Sequence, residues 1–376
     1  MVDFGFRYSK KPQCISRRST LFNSKTFATL MILMVVLVAG SAMAESTFYG
    51  SARLSLDMQN NGDESFFAMN SNASRIGWMG EEELNDNFTA IWQVETEVDW
   101  NEGPSRIWSS RDTYGGLKGS WGHLQGGYFD SPLKKLGSKT SFFMDEVGDR
   151  RQLTLGADMR YHSQVLYALP NMDNGFGAMV SAVLPQTETY DPDVETDSAF
   201  FGEADFSGDN FLVGAAFASH SAGNFNPVAD AAESSTTFRL AGNYSGDAFG
   251  INAMYQSTSN FGGFDGLSAT VMSIEAMFAA SDAWHIKAGY TMTDPDTDTD
   301  DDGASLIAFG IDHPVTDNMT FYIQYAMISN DDNQAAGLNS NGPGGGGWGG
   351  SVNPAFDDAG LAENPSDISL GAIMKF

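Results

Sequence analysis

The sequence predicts an all-β fold, namely a transmembrane antiparallel β-barrel of about sixteen strands. Three observations support this. Apolar and polar residues alternate with period two over segments of about ten residues. Short turns alternate with long acidic or glycine-rich stretches, as in outer-membrane barrels. The mean hydropathy of −0.23 is too polar for a membrane protein made of helices, but it suits strands that put every second residue into water.

The first element, 1–44, is predicted to be a secretory signal peptide. Six basic side chains precede an apolar run at 28–40, and an Ala-Met-Ala cleavage site ends at Ala44. The apolar run is shorter than the roughly 20 residues that a membrane-spanning helix needs. We therefore expect the mature chain to begin at Glu45 and to form one transmembrane barrel domain, 45–376. A retained membrane anchor is the alternative.

The barrel strands follow from the alternation. In 47–58, Phe48 and Leu56 share an apolar face, whereas Arg53 and Asp57 share the opposite, polar face. The same period predicts further strands at 72–82, 88–100, 107–119, 121–130, 157–170, 174–185, 197–208, 210–219, 235–246, 248–257, 267–281, 283–293, 304–315, 317–329 and 366–376.

The connections between these strands are of two kinds. Short joints occur at 245–247, 280–282 and 316–318. Long acidic or glycine-rich stretches occur at 186–196, 220–234, 294–303 and 330–364. A soluble β-sandwich is the alternative fold, but it would not need aromatic residues near both ends of a strand. Here such pairs are Trp92 with Trp100 and Tyr161 with Tyr167.

The last strand ends the chain on an aromatic residue. Ile368, Leu370, Ala372, Met374 and Phe376 share one face. A lipid-facing strand with a terminal aromatic resembles the C-terminal signal that the outer-membrane assembly machinery reads. Phe376 is therefore the predicted assembly signal.

Charge and motif content exclude several classes of function. The chain carries 48 acidic and 20 basic residues, a formal net charge of −28, so nucleic acid is not an expected partner. The only cysteine, Cys14, lies in the predicted signal, which leaves no disulfide or thiolate metal site in the mature chain. No hydrolase, zinc or nucleotide motif occurs, and strand alternation would put the adjacent His162 and Ser163 on opposite faces. We expect no catalytic site and no cofactor.

The acidic segment 294–302 (DPDTDTDDD) is the one place with enough oxygen ligands to suggest calcium binding. It lacks the glycine and the bidentate Glu of an EF-hand loop. A solvated external loop is the expected structure, and no metal site is assigned.

Several segments resemble the trimeric Gram-negative general porins. Residues 47–50 (TFYG) are similar to their first strand and 71–80 (SNASRIGWMG) to their second. Residues 111–132 are similar to the hairpin that enters their third loop, and 160–176 to the strand that leaves it. The last strand completes a resemblance that covers nearly all of 46–376.

This resemblance implies a sixteen-stranded barrel, a homotrimer and a third loop, 131–157, folded into the lumen as a constriction. Asp145, Glu146 and Asp149 would be the acidic residues of that constriction loop. Basic residues of the pore wall would face them. The basic residues at strand positions whose side chains should face the lumen are Arg53, Arg75, Arg111 and Arg160.

The sequence departs from the family pattern at two wall positions. Gln125 and Tyr128 stand where family members commonly carry Arg, while Glu95, Glu97 and Asp99 line the neighbouring strand. Fewer basic residues and more carboxylates predict a cation-preferring pore. The alternative is that these carboxylates lie near the mouth and set only the surface charge.

We therefore expect an outer-membrane porin that passes small hydrophilic solutes and ions by passive diffusion. It would contact lipid and lipopolysaccharide in the Gram-negative outer membrane, after insertion by the barrel assembly machinery. A substrate-specific channel is one alternative, and it would need an aromatic track for sugars or an array of basic residues for phosphate. A plugged structural or adhesin barrel is the other.

Overall fold

The computed structural model describes 45–60, 65–100, 108–170, 172–185, 187–188, 191–195, 198–221, 233–261, 265–296, 301–332, 334, 336–338 and 364–376. The described residues belong to one compact unit, Ala44–Phe376. Residues 1–44 lie outside the described residues, so the signal peptide stays a prediction. Among the described residues, no helix has the length and apolarity needed to cross a membrane.

The unit Ala44–Phe376 is a closed antiparallel barrel with sixteen wall strands, as predicted. Its strands are β1 (Glu45–Asn60), β2 (Ser65–Ser71), β3 (Arg75–Asn85), β4 (Phe88–Val98), β5 (Trp108–Gly119), β6 (Gly122–Asp130), β7 (Arg160–Ala168), β8 (Phe176–Val183), β9 (Thr187–Glu188), β10 (Asp191–Glu195), β11 (Ala199–Ser207), β12 (Phe211–His220), β13 (Ser235–Ser245), β14 (Phe249–Ser259), β15 (Ser268–Ser281), β16 (Trp284–Asp296), β17 (Ala304–Thr316), β18 (Met319–Asn330) and β19 (Ser366–Lys375). Both β2 and β3 pair with β1, so they count as one wall strand. The hairpin β9–β10 stands apart from the wall.

The barrel closes between its first and last strands. β1 pairs with β19 over ten residues, from Ser51 opposite Lys375 to Asn60 opposite Ser366. The backbone of Gly50 also exchanges two hydrogen bonds with that of Phe376, at 2.8 and 3.1 Å. The seam therefore joins the two ends of the barrel sequence.

The wall has an apolar outer face and a polar inner face, as the period-two pattern predicts. On β1 the Leu56 side chain is 60% exposed, whereas its neighbour Asp57 is 1% exposed. On β15 and β17, Ile274 and Phe309 point outward in the same way. Such an outer surface suits contact with hydrocarbon, and the inner surface suits a wet lumen.

The strand connections differ at the two ends of the barrel. One end, which we call the short-turn end, carries tight joints such as 86–87, 120–121 and 282–283. The other, the long-loop end, carries the long segments, and the third of these is 131–159. It ends two residues later than predicted, because β7 begins at Arg160 rather than near 157.

The third loop contains a helix that the sequence pattern did not predict. The helix α1 (Pro132–Lys139) begins after Ser131, whose hydroxyl accepts a hydrogen bond from the Lys134 backbone N–H at 3.3 Å. Ser before Pro is a favourable start for a helix. Only Leu133 and Leu136 mark its apolar face, which is too short a pattern to distinguish a helix from a loop.

A break in the alternation of β7 overturns two expectations. Ser163 has a φ of 53°, in the left-handed region, so the residues before and after it do not alternate regularly. Tyr161 consequently packs inside the barrel, where its hydroxyl lies 2.9 Å from His220 Nε2, and it is not an interfacial aromatic. The same break brings His162 Nδ1 within 3.5 Å of Ser163 Oγ, although the two were expected on opposite faces.

Candidate functional site: the loop-lined lumen

The third loop, 131–159, is anchored on one side of the lumen by α1. Leu133 and Leu136 are fully buried and belong to an apolar cluster with Phe201 and Ala216 of the wall. Burying a leucine side chain contributes roughly 1.5–3 kcal/mol. At the end of the helix, Lys139 Nζ lies 2.9 Å from the Glu203 carboxylate on β11.

The middle of the loop reaches another part of the wall. Phe143 and Val147 pack in a second apolar cluster that contains Leu306 of β17 and Ile328 of β18. Because α1 contacts β11–β13 and this segment contacts β17 and β18, the loop crosses the lumen instead of lying along one wall. This confirms the expectation of an inward-folded third loop.

Asp145, at the centre of the crossing, contacts three arginines. Its carboxylate lies 2.6 Å from Arg75, 2.7 Å from Arg151 and 3.5 Å from Arg53. Burial alone would raise the pKa of the Asp145 carboxyl, but Arg151, Arg75 and Arg53 outweigh it and hold the pKa well below its usual value. Asp145 also has a positive φ of 59°, and its backbone N–H donates to Asp149 at 2.8 Å.

Asp149 and Glu146 complete the acidic set that was predicted for this loop. Asp149 is fully buried and pairs with Arg151 at 2.5 Å. Glu146 pairs with Lys287 of β16 at 2.5 Å and accepts a hydrogen bond from Gln324 of β18. All three predicted carboxylates therefore lie together, but each is engaged with a base.

The wall carboxylates Glu95 and Glu97 are also paired. Arg111 of β5 donates to Glu95 at 2.6 Å and to Glu97 at 2.7 Å, and it is only 3% exposed. Tyr49 donates to Glu95 from the first strand at 2.9 Å. Both glutamates face inward as predicted, and the arginine expected on the same wall compensates part of their charge.

Arg160, the fourth predicted wall base, binds carboxylates at the entry to the loop. Its Nε lies 2.6 Å from Asp112 and 2.9 Å from Asp130, and Asp130 also pairs with Lys134 of α1 at 3.1 Å. Gln125 is buried on β6.

Tyr128 and Asp99 were also singled out in the sequence. Tyr128 is half-buried near the end of β6. Asp99 is half-buried and follows the end of β4.

Sequence reasoning missed several residues that hold the loop. Arg239 of β13 lies 2.6 Å from the Asp158 carboxylate, and Glu275 of β15 accepts hydrogen bonds from the Ser141 hydroxyl at 3.0 Å and the Phe142 backbone N–H at 2.5 Å. Arg239 lies on a predicted strand with inward parity, as does Lys287. Both residues occupy the same lumen-facing positions of the alternation as the four predicted arginines.

Phe376 lies at the barrel seam, where its ring is 50% exposed on the outer face. The ring centroid lies 5.9 Å from that of Phe48. Gly50 faces the ring so closely that a side chain there would collide with it. Phe376 thus contacts the seam through its ring as well as through its backbone.

No group of three or more His, Cys, Asp or Glu side chains in the described part of the chain is arranged to hold a metal ion. Residues 297–300 of the acidic segment lie outside the described residues.

A closed antiparallel barrel with an apolar exterior and a charged lumen crossed by its own loop defines an outer-membrane β-barrel of the porin type. The sequence model of the Gram-negative porin family matches residues 28–333, so the chain belongs to that family. Membership confirms the resemblance found in the sequence, the outer-membrane location and the prediction that the chain is not an enzyme.

Curated relatives match over a limited length. The major outer membrane protein P.IB of Neisseria meningitidis serogroup A is 31% identical over 118 residues, which are 29% of this chain and 36% of that protein. The chitoporin of Vibrio furnissii is 34% identical over 97 residues, 23% of this chain and 26% of that protein. The matched part thus spans about a third of the length of these relatives, or less.

Solved structures match over nearly the whole barrel. The anion-selective porin from Comamonas acidovorans covers 89% of this chain and 100% of its own, with a TM-score of 0.72 and 19% identity. The trimer form of OmpT from Vibrio cholerae covers 89% and 100%, with a TM-score of 0.65 and 16% identity. At these identities the likeness shows the fold alone.

Proposed function

We propose that this protein is a general diffusion channel, through which small hydrophilic solutes and ions cross the outer membrane passively. The observation that carries the proposal is the third loop, which crosses a lumen lined with ion-paired side chains. A loop held in this way narrows the channel at fixed charged groups, so solutes are selected by size and charge without a catalytic step.

Charges of both signs surround the crossing of the third loop. Opposed charges of this kind produce an electric field across the pore, whereas a ring of charges of one sign would not. The basic side chains there are Arg53, Arg75, Arg111, Arg151 and Lys287. The carboxylates are Glu95, Glu97, Asp145, Glu146, Asp149 and Asp312. The two sets nearly balance, so the constriction itself contributes little preference between cations and anions.

We propose a mild cation preference that arises outside this balanced zone. Exposed acidic side chains surround the long-loop end of the barrel, namely Glu233, Asp265, Asp301, Asp331 and Asp332. Carboxylates at a channel mouth raise the local cation concentration, and salt screens this effect within about 10 Å at 0.1 M.

The proposed assembly is a homotrimer in contact with outer-membrane lipid and lipopolysaccharide, inserted by the barrel assembly machinery. The trimer form of OmpT supports the first part by analogy of fold. Sedimentation of the detergent-solubilised barrel and its migration on unheated gels test the stoichiometry.

Recordings in planar bilayers test the channel function. Purified protein should produce stepwise conductance increases, and reversal potentials under a salt gradient should give a weak cation preference. Absence of conductance would support the plugged barrel instead. A conductance blocked by one sugar or by phosphate at low concentration would support a substrate-specific channel.

A further inference from the structure

A tyrosine bridges the barrel seam on the inner wall. Tyr322 of β18 lies on one side of the seam, and Asn72, between β2 and β3, lies on the other. The Asn72 amide donates a hydrogen bond to the Tyr322 hydroxyl at 3.2 Å, although 250 positions separate the two residues in the chain. The tyrosine ring passes over Gly371 of β19, where any larger side chain would collide with it. Because β19 and β1 lie between the partners, this hydrogen bond forms only when the barrel is closed.

The tip of the third loop makes a second bridge across the seam. Glu146 lies 2.5 Å from Lys287 of β16 and 3.7 Å from Arg53 of β1. The Arg53 guanidinium also donates to the Met144 backbone carbonyl at 2.7 Å and lies 3.5 Å from the Asp145 carboxylate. The loop tip therefore contacts strands on both sides of the seam.

The two bridges lie next to each other in a buried region. Tyr322 is close enough to Glu146 and Arg53 to interact with their charges, and Gln324, which follows Tyr322 on the inner face of β18, donates to Glu146. Tyr322, Gln324 and Glu146 are all buried. Hydrogen bonds and ion pairs are stronger in buried surroundings than in water, and removing one partner leaves the other uncompensated.

The seam is the junction at which closure of the wall depends on the two ends of the barrel sequence. Elsewhere in the wall, neighbouring strands follow one another along the chain. Bringing distant segments together costs conformational entropy, and an open seam would leave two strand edges unpaired. A link across this junction therefore opposes the opening of the barrel directly.

We propose that Tyr322, Asn72, Glu146, Arg53 and Lys287 form an internal clasp, the seam clasp, that holds the barrel closed from inside the lumen. The third loop then has two roles, since it narrows the lumen and also fastens the strands at both ends of the barrel sequence to each other. This inference goes beyond the channel function and holds whatever solute passes through the pore.

Native-state hydrogen exchange of the folded, detergent-solubilised barrel tests the clasp, because amide exchange reports the local opening of paired strands. Peptide-level mass spectrometry follows β1 and β19 separately from the β13–β14 hairpin. Tyr322→Phe removes one hydroxyl and keeps the ring, and Glu146→Gln removes the charge at the loop tip. In both variants we expect the amides of 51–60 and 366–375 to exchange at least about tenfold faster, because a buried group loses its partner. Exchange in the β13–β14 hairpin should not change.

Two matched controls make the same chemical changes away from the seam. Tyr161→Phe removes a hydroxyl inside the barrel that lies 2.9 Å from His220 Nε2 on β12. Lys139→Gln removes the ion pair that holds the end of α1 to Glu203 of β11 at 2.9 Å. Neither control should change exchange in β1 or β19, because neither contact spans the seam.

Covalent closure of the seam gives a second readout. Met58→Cys with Ile368→Cys would join two directly paired residues on the outer face of β1 and β19, and 45–376 contains no other cysteine. Opposite residues of antiparallel strands bring their Cβ atoms to about 4.5–5.5 Å, near the separation in a disulfide. Tyr322→Phe should lower the unfolding temperature of the reduced barrel but not that of the oxidised barrel, in which the disulfide replaces the clasp.

Three results would overturn the proposal. One is unchanged exchange in β1 and β19 for either Tyr322→Phe or Glu146→Gln. Another is an equal acceleration of exchange in every strand, which would mean that the variants weaken the whole barrel and not the seam. The third is a Tyr322→Phe variant whose unfolding temperature falls equally with and without the disulfide.

Discussion

Arg111 donates to Glu95 across the lumen wall at 2.6 Å, and this contact decides how the acidic strand β4 acts in the pore. Taken alone, the two glutamates of β4 predict a strongly cation-attracting wall. With the guanidinium between Glu95 and Glu97, one of their two negative charges is compensated. The expected preference for cations is consequently mild, and it depends on contacts that a sequence does not reveal.

The first prediction concerns this contact. Arg111→Ala should lower the free energy of unfolding by about 3–5 kcal/mol, because it leaves two buried carboxylates without their base. It should also increase cation preference. Urea unfolding and reversal potentials measure the two effects. Arg111→Lys keeps the positive charge but cannot bind both carboxylates at once as the planar guanidinium does. Its stability and cation preference should therefore lie between those of the unmodified protein and Arg111→Ala. An unchanged reversal potential in Arg111→Ala would show that Glu95 and Glu97 lie outside the ion path.

The second prediction concerns pH and the third loop. The pKa of the Asp145 carboxyl is held well below its usual value, so its ion pairs stabilise the folded state fully above the unfolded pKa of about 3.9 and are lost only as pH falls through the folded pKa. The open-channel current should therefore show little excess noise from about pH 8 to pH 5, because the third loop stays held. Asp145→Asn should increase the current noise throughout this range, because it removes the charge that holds the loop. Loop-related noise that begins near pH 6 in the unmodified protein would contradict the assignment.

The third prediction concerns assembly. Deleting Phe376 or replacing it by Asp should reduce the amount of heat-modifiable folded barrel, because the ring packs on Phe48 and the backbone pairs with Gly50. Gels of outer-membrane fractions measure this. Phe376→Tyr keeps the ring and should assemble normally. Equal folded yields for the Asp and Tyr variants would refute the role of the terminal aromatic.

The fourth prediction concerns export. The mature protein should begin at Glu45, since Ala42 and Ala44 occupy the small-residue positions of the cleavage site. The intact mass of the protein from outer-membrane fractions measures this. A mass that retains 28–44 would mean that the apolar run stays as an anchor.

The wall of the barrel was predictable because one simple rule governs it. Every strand that separates lipid from water must alternate, and this fixed the sixteen segments and the inward direction of Arg53, Arg75 and Glu95. The rule fails where the backbone leaves the regular strand. Ser163, which is not glycine, gives no sign in the sequence of its positive φ.

The pairing of charges inside the lumen was not predictable in the same way. The alternation along a strand predicts which side chains face the lumen, but it does not predict which of them form ion pairs. Asp145 contacts Arg53 and Arg75 because the third loop crosses the barrel. Asp57 illustrates the converse. Its inward direction was read from the sequence, but its lack of a basic partner among the described residues became visible only in three dimensions.

The fifth prediction concerns selectivity. Tyr128 is half-buried near the end of β6 and stands where family members commonly carry Arg. Tyr128→Arg should reduce the cation preference of the channel, because it adds a positive charge to a wall whose charges nearly balance. Gln125→Arg should act in the same direction but more weakly, since Gln125 is buried and its replacement has less contact with the ion path. Tyr128→Gln changes the size of the side chain without adding charge and is the matched control.

Reversal potentials in a tenfold gradient of KCl measure this effect, and raising the mean salt concentration should weaken it, since exposed charges are screened within about 10 Å at 0.1 M. If Tyr128→Arg and Tyr128→Gln shift the reversal potential equally, pore size and not wall charge controls the preference. Anion preference in the unmodified protein would mean that Arg53, Arg75 and Arg151 dominate the field at the crossing and that the acidic long-loop end does not reach it.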